Sequence, residues 1–173
     1  VVVDPHPMSS PSAPLGFWSR RRWHKEGGTL KRTVPGMDRG EMEGLRSTFE
    51  ALTPDIVVAP RSVLVELACR PLPPHRPAAL ISYGEPLHDR HRRCVERAFG
   101  VPVFDRYCVR EAGNVALACA QGNLHVASPF VRVEVVSDAG VNVPGETGRV
   151  VLTPLLTLTA PLLRLAVGDV AIW

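Results

Sequence analysis

The chain has few of the features that mark nucleic-acid-binding or membrane proteins. It contains only two lysines, Lys25 and Lys31, and its net charge is +3. Nucleic-acid-binding proteins concentrate their cations on one face, whereas the densest basic run here, Arg20 to Arg22, is isolated and favours a solvated arm. No apolar run approaches the roughly 20 residues that cross a bilayer, and no secretory signal is recognisable. We expect a cytoplasmic protein with neither nucleic acid nor membrane as partner; nucleic-acid binding through the arm is the alternative.

Cysteine is also scarce and shows no CxxC spacing. The four cysteines, Cys69, Cys94, Cys108 and Cys119, are widely separated, which is typical of reduced thiols. Cys119 and His125 fall on adjacent predicted strands, and Cys94 or Cys108 could add a third zinc ligand. Zinc needs three or four converging ligands. We therefore treat Cys119 and His125 as a zinc hypothesis, with a structural cysteine beside a hydrogen-bonded histidine as the favoured alternative.

Three segments of different character follow one another along the chain. Residues 1–36 are rich in proline, serine and arginine and predict an irregular arm. Residues 37–112 alternate strand and helix patterns with short connections, which predicts an α/β layer with parallel strands. Residues 113–173 contain short strands separated by turn signals. The predicted fold class is α/β: a partial parallel sheet with flanking helices, followed by an antiparallel β lobe.

The predicted elements have recognisable boundaries. One helix begins at Asp38 and ends before Pro54, a second is capped by Ser62, and a third is opened by Pro86 and stopped by Gly100. The predicted strands are 55–59, 78–82, 101–104, 115–119, 124–126, 131–136, 149–153 and 162–165.

Polar residues follow three of these strands. Because ligands bind at the carboxyl ends of strands in an open parallel sheet, we expect sites at 82–85, at 105–111, and at Arg164 with Gly168-Asp169. Each cluster alone is equally typical of an ordinary turn or a surface ion pair.

The residue types in these clusters suit a nucleotide with magnesium. Gly84 permits close backbone approach, and the ring of Tyr107 could cover the face of a base. The carboxylate of Glu111 could hold a hard cation, and Asp169 could accept two hydrogen bonds from a diol.

From about residue 41 onward, a series of motifs occurs in a fixed order. They are TPDIVVAPRSVLVELA (53–68), SYGEPL (82–87), AFGVPVFDRYCVREAGNVALAC (98–119), NLHV (123–126), VRVEVV (131–136), GETGRVVLTPL (145–155) and APLLRLAVGD (160–169). This order resembles the phenylacetate-CoA ligase and capsule-biosynthesis branch of the adenylate-forming superfamily, in the C-terminal part of the large domain.

The resemblance implies roles for individual residues. The turn Gly84-Glu85-Pro86 would lie against adenine, and the motif at 107–111 would place Tyr107 beside the nucleotide and Glu111 on magnesium. The motif at 161–169 would supply Arg164 and let Asp169 hold the ribose hydroxyls.

The chain also departs from the family motifs. Cys108 replaces a glycine, Leu165 replaces a tyrosine, and Arg110 replaces the hydroxyl residue that contacts the α-phosphate. A guanidinium suits phosphate oxygens, so Arg110 is a candidate for that contact.

The function implied by the resemblance is activation of a small carboxylic acid. ATP would give an acyl- or aryl-adenylate, and CoA would then give a thioester, with Mg2+ required; a homodimer is left open. No phosphate loop precedes residue 40, and no catalytic lysine follows residue 169. We therefore expect a fragment that is inactive alone, with a noncatalytic nucleotide-binding or interaction remnant as the alternative. The nucleotide prediction requires Glu111 and Asp169 to share a cleft beside the turn 84–86.

Overall fold

The computed structural model describes residues 2–4, 23–26, 29–33, 38–156 and 161–172. Contacts divide the chain into two compact units, Val1–Asp105 and Arg106–Trp173. The described elements are β1 (Val2–Asp4), β2 (Trp23–Glu26), β3 (Thr29–Thr33), α1 (Arg39–Leu52), β4 (Ile56–Pro60), α2 (Arg61–Ala68), β5 (Ala79–Tyr83), α3 (Asp89–Phe99), β6 (Val103–Val109), β7 (Gly113–Ala118), β8 (Leu124–Val126), β9 (Val131–Val136), β10 (Thr147–Pro154) and β11 (Leu165–Ile172).

The first unit is a sheet with three helices. Its strand order is β2-β3-β1-β4-β5-β6. Strand β1 is parallel to β3 and β4, and β4 is parallel to β5, while β2 and β3 form an antiparallel pair. Its core contains buried side chains from α1, β4, α2, β5, α3 and β6. The predicted α/β fold class is confirmed.

Helix α1 shows how the sequence sets an element of this unit. The side chain of Asp38 caps the helix by accepting from the Glu41 N–H over 3.0 Å. Met42, Leu45 and Phe49 share one face at helical spacing and are buried. The predicted start of the helix at Asp38 is therefore confirmed.

Strands β4 and β5 bring their following residues together. In this parallel pair Pro60, the last residue of β4, is in register with Tyr83, the last residue of β5. The two strands thus end at the same edge of the sheet. Arg61-Ser62 and Gly84-Glu85 leave that edge side by side.

The predicted start of the third helix is wrong, but its predicted end is confirmed. Helix α3 begins at Asp89, because His88 has extended backbone angles and is its N-cap. Gly100 ends the helix with a φ of 70° and donates its N–H to the Glu96 carbonyl over 2.8 Å.

The second unit is antiparallel. The second half of β6 pairs with β7, and β7 pairs with β8. A separate three-stranded sheet has the order β11-β10-β9. Val115, Val131, Val150 and Leu152 form the buried core of this unit. The predicted antiparallel β lobe is therefore present.

Several predicted boundaries differ from the structure. Strands β1 to β3 lie inside 1–36, which was predicted to be irregular, and the two units meet at 105/106 rather than 112/113. Strand β6 continues through Asp105–Val109, and β11 contains Gly168 and Asp169, so those residues do not follow strands as predicted. Pairing with β7 extends β6 beyond its apolar segment. The predicted strand 162–165 is misplaced, because β11 begins only at Leu165.

No helix in the described ranges is both long and apolar enough to cross a membrane.

Candidate functional site

In the first unit, the Glu85 carboxylate is surrounded by donors from the start of α2. Its Oε2 atom accepts from Arg61 Nε at 3.1 Å, from Arg61 Nη2 at 2.7 Å and from the Ser62 backbone N–H at 3.2 Å. The Ser62 hydroxyl donates to Oε1 over 2.5 Å. Both oxygens are thus engaged within the protein. The Glu85 side chain is 29% exposed.

The sequence of α2 explains why these donors need an acceptor. The N-cap residue of α2 is Pro60, which makes no side-chain capping bond. The first N–H groups of a helix lack partners within the helix and attract negative charge. Glu85 supplies both an acceptor and a charge from the neighbouring strand end. The prediction that Ser62 caps this helix is wrong, because Ser62 lies in the first turn and donates to Glu85.

These contacts keep Glu85 ionised. Burial raises the pKa of Glu85, but hydrogen bonds from Ser62 and Arg61, together with the Arg61 charge, outweigh burial and lower it below the ordinary value. Arg61 Nη1 also lies 3.5 Å from His91 Nδ1. Burial and then the Arg61 charge lower the pKa of His91, which favours its neutral form.

The turn after β5 has open space beside it. Gly84 has a φ of 73°, which L side chains rarely adopt, and no described atom beyond its chain neighbours lies within 4 Å of where its Cβ would stand. Ser82, which precedes the turn, is fully buried in β5. The backbone of 84–86 is therefore the part of this cluster that a ligand could approach.

In the second unit, two residues predicted for the nucleotide site are in direct contact. Tyr107 on β6 donates its hydroxyl to Asp169 Oδ2 over 2.6 Å. Burial raises the pKa of Tyr107, and the hydrogen bond and charge of Asp169 raise it further, so the hydroxyl remains a donor. The contact fixes the half-buried ring beside a carboxylate that retains acceptor capacity.

The other residues of this unit that were predicted for the nucleotide site are exposed or make other contacts. Arg110 and Glu111 occupy the turn between β6 and β7, and both are exposed. The Arg164 guanidinium donates to the Gly140 carbonyl at 3.0 Å and lies 3.5 Å from Glu134. The shared cleft of Glu111 and Asp169 beside the turn 84–86 stays a prediction.

The two zinc candidates form a pair. Leu117 on β7 is opposite His125 on β8, which places Cys119 on the same face, diagonal to His125. A hydrogen bond to His125 lowers the pKa of Cys119, helped by the backbone N–H groups of Gln121 and Asn123, although burial opposes this.

Among the described residues, no three His, Cys, Asp or Glu side chains come together to hold a metal. Zinc would need at least one further ligand. Magnesium differs, because one or two carboxylates plus substrate phosphates normally hold it. The exposed Glu111 carboxylate is compatible with that coordination.

Arg61 and Ser62, which donate hydrogen bonds to Glu85 in the first unit, were not predicted as site residues. The motif containing Arg61-Ser62 was recognised, yet its contact with Glu85 was not. The sequence did contain a signal for this contact. Arg61-Ser62 follows β4 and Gly84-Glu85 follows β5, and two neighbouring parallel strands have their carboxyl ends at the same edge of the sheet.

The comparisons with known proteins show that the fold of this chain is similar to part of several CoA ligases. A structure of 2-hydroxyisobutyryl-CoA ligase with 2-HIB-AMP is similar with a TM-score of 0.71 and 24% identity, over 83% of this chain and 34% of that chain. A benzoate CoA ligase from Burkholderia xenovorans LB400 gives a TM-score of 0.60 and 16% identity, over 81% of this chain and 29% of that chain. The chain has the fold of part of an adenylate-forming enzyme domain.

A third ligase agrees with this assignment of fold. The anthranilate CoA ligase AuaEII, in complex with anthranoyl-AMP, has a TM-score of 0.59 and 18% identity, over 75% of this chain and 27% of that chain. The chain spans about a third of the length of the 2-hydroxyisobutyryl-CoA ligase structures. No protein-family model and no curated protein matches the sequence.

Proposed function

We propose that this chain is the nucleotide-holding part of an ATP-dependent ligase that converts a small carboxylic acid to its adenylate and then to a CoA thioester. The observation that carries the proposal is the hydrogen bond between Tyr107 and Asp169. It joins two motifs of the adenylate-forming resemblance that are far apart in sequence. The similarity to ligases crystallised with 2-HIB-AMP and anthranoyl-AMP supports it.

Each proposed role follows from the chemistry of the side chain. Asp169 accepts hydrogen bonds from the ribose hydroxyls, while Tyr107 keeps the carboxylate oriented and presents its ring to the base. Glu111 would hold magnesium, which neutralises charge on the phosphates, and Arg110 would contact the α-phosphate. Arg164 would support the site indirectly, since its guanidinium already donates to Gly140.

The finer assignment is the phenylacetate-CoA ligase branch, with an acyl or aryl acid as substrate. Its support is the order of motifs between 53 and 169. A cytoplasmic location and a homodimer are part of the same proposal.

Calorimetry of AMP with this chain tests the nucleotide role. We expect AMP to bind and Asp169→Asn to bind about tenfold to a hundredfold more weakly, because a hydrogen bond to a charged group contributes ~1.5–3 kcal/mol. Asp138→Asn is the control, since Asp138 is a highly exposed carboxylate of the same unit. Absence of AMP binding, or equal affinity in Asp169→Asn, would contradict the proposal.

A noncatalytic nucleotide-binding role is the second candidate. The two lysines, Lys25 and Lys31, lie on the paired strands β2 and β3, and we assign neither a catalytic role. Pyrophosphate exchange with ATP, Mg2+ and phenylacetate, measured in the complete ligase of which this chain is proposed to be a part, distinguishes the candidates. Exchange that is lost in Glu111→Gln favours the ligase reaction, and AMP binding without exchange favours the noncatalytic role.

A further inference from the structure

The turn proposed to lie against adenine is attached to the start of α2 by one carboxylate. Glu85, inside that turn, accepts hydrogen bonds from Arg61 and Ser62, which begin α2. The parallel register of β4 and β5 brings the two segments together. A side chain in this position can determine where the turn backbone points.

The bonding pattern leaves Glu85 little capacity for a ligand. Three N–H donors converge on Oε2, and the Ser62 hydroxyl occupies Oε1. The carboxylate also serves as the cap that Pro60 does not provide to α2. Its orientation is thus set by a charge pair, a helix terminus and a hydroxyl together.

Arg61 connects the same carboxylate to a third element. Its Nη1 atom lies 3.5 Å from Nδ1 of His91, in the first turns of α3. The Arg61 side chain is only 25% exposed. Its guanidinium is therefore held by these contacts and does not move freely in solvent. The turn is consequently fixed against the beginnings of two helices.

Such fixation matters because the turn contains a glycine in the left-handed region. Gly84, with a φ of 73°, adds backbone freedom that binding would otherwise have to remove. Holding a binding segment in its bound conformation before the ligand arrives reduces that entropic cost. It also keeps polar backbone groups in the geometry that recognition requires.

We propose that Glu85 is a positioning residue: held by Arg61 and Ser62, its carboxylate fixes the Gly84-Glu85-Pro86 turn so that the turn backbone faces adenine, without itself touching the nucleotide. This inference rests on the proposed function, since it takes AMP or ATP as the ligand. It assigns to Arg61 and Ser62 a part in nucleotide affinity that neither the motifs nor the fold similarity assigns.

Two measurements on the full chain test the proposal: calorimetry with AMP, and hydrogen exchange of the amides of Tyr83, Gly84 and Glu85 without nucleotide. Glu85→Gln keeps the size and an acceptor but removes the charge. We expect it to bind AMP about tenfold more weakly and to exchange faster at the turn, with an unchanged circular dichroism spectrum. Ser62→Ala removes one donor and keeps the charge pair, so we expect about threefold weaker binding.

The control variant is Glu66→Gln. Glu66 on α2 pairs with Arg70, just after the end of that helix, at similar exposure, 36% and 28%, but away from the turn. We expect its AMP affinity and its turn exchange to equal those of the unaltered chain. If the loss of any ion pair of α2 weakened AMP binding and loosened the turn, Glu66→Gln would show both effects as well, and the specific role of Glu85 would be overturned.

The outcomes separate the inference from the proposed function. If the unaltered chain binds AMP and Glu85→Gln binds it equally well, the positioning role is overturned while nucleotide binding stands. If turn exchange is unchanged in Glu85→Gln and in Ser62→Ala, the carboxylate does not hold the turn, and the role is again overturned. If the unaltered chain does not bind AMP, the proposed function fails and the positioning role fails with it.

Discussion

At the scale of single residues, the bond between Tyr107 and Asp169 is the contact with the clearest consequence for titration. The hydroxyl donates to the carboxylate over 2.6 Å. Ionising the phenol would remove the donor and place two negative charges together. The partly buried ring already disfavours the phenolate, so the pKa of Tyr107 is raised first by burial and then by Asp169.

We predict that Asp169→Asn lowers the pH at which Tyr107 ionises. The raised pKa means that this contact contributes stability below the ordinary tyrosine value of 10.0 and loses it as pH rises through the folded value. The asparagine removes the charge but leaves the burial, so the decrease should be partial. Ultraviolet titration of the two tyrosines, with Tyr107→Phe identifying the signal, measures this. An unchanged titration in Asp169→Asn would contradict the contact.

Cys119 is the second residue whose environment predicts reactivity. Because His125 and two backbone N–H groups lower its pKa, its reactive thiolate should persist to lower pH than in an ordinary cysteine. We predict that iodoacetamide modifies Cys119 faster than the exposed Cys94 near neutral pH, and that this advantage declines as pH falls through the lowered pKa. His125→Ala should slow the reaction severalfold. Mass spectrometry of the modified peptides measures the rates at Cys119 and Cys94. If Cys119 reacted as fast in His125→Ala as in the unaltered chain, the role of His125 would be refuted.

Sequence reasoning predicted candidate site residues where the signal was local. Gly84, Tyr107 and Asp169 stand in motifs that can be read along the chain. Arg61 and Ser62 were missed as partners of Glu85 because the contact depends on the register between β4 and β5. That register is a property of pairing between distant segments, and no local pattern encodes it directly.

At the scale of elements, Gly148 controls how closely β10 approaches β9. A Cβ at this position would lie 2.7 Å from the Val136 carbonyl oxygen and 2.8 Å from Val135 Cγ1. The first of these atoms belongs to the backbone, so relief would require the paired strands to separate.

We predict that Gly148→Ala lowers the free energy of unfolding by about 1–3 kcal/mol, as for other overpacked sites. Thr147→Ala, at the exposed neighbouring position of β10, is the control and should change stability by much less. Urea denaturation of the two variants measures the difference. If Gly148→Ala were as stable as the control, the close approach of the strands would be refuted.

Elements were predicted well where one face is continuously apolar. Helix α1 was readable from Met42, Leu45 and Phe49 together with the Asp38 cap. Strand β6 was predicted too short, because Asp105 and Arg106 interrupt its apolar run, whereas pairing with β7 continues the strand from Arg106 to Val109. The predicted strand 162–165 was misplaced, because β11 is set by its antiparallel pairs with β10, which lie on both sides of Gly168 and Asp169.

At the scale of the whole molecule, the two units have separate buried cores. The first core contains Leu64, and the second contains Leu152; both side chains are fully buried. A domain owes most of its stability to its own buried apolar surface. A cavity in one core should therefore lower the stability mainly of the unit that contains it.

We predict that Leu64→Ala lowers the stability of the first unit by about 2–5 kcal/mol, the usual cost of removing a buried leucine side chain. Amides of β4 and β5 should exchange faster, while those of β9 and β10 should retain their rates. Leu152→Ala is the reciprocal variant and should reverse the pattern, because its cavity lies in the other core. Hydrogen exchange followed by mass spectrometry resolves the two sets of strands. Equal acceleration of both sets in either variant would show that the cores unfold as one cooperative unit, and the division at 105/106 would then have no thermodynamic meaning.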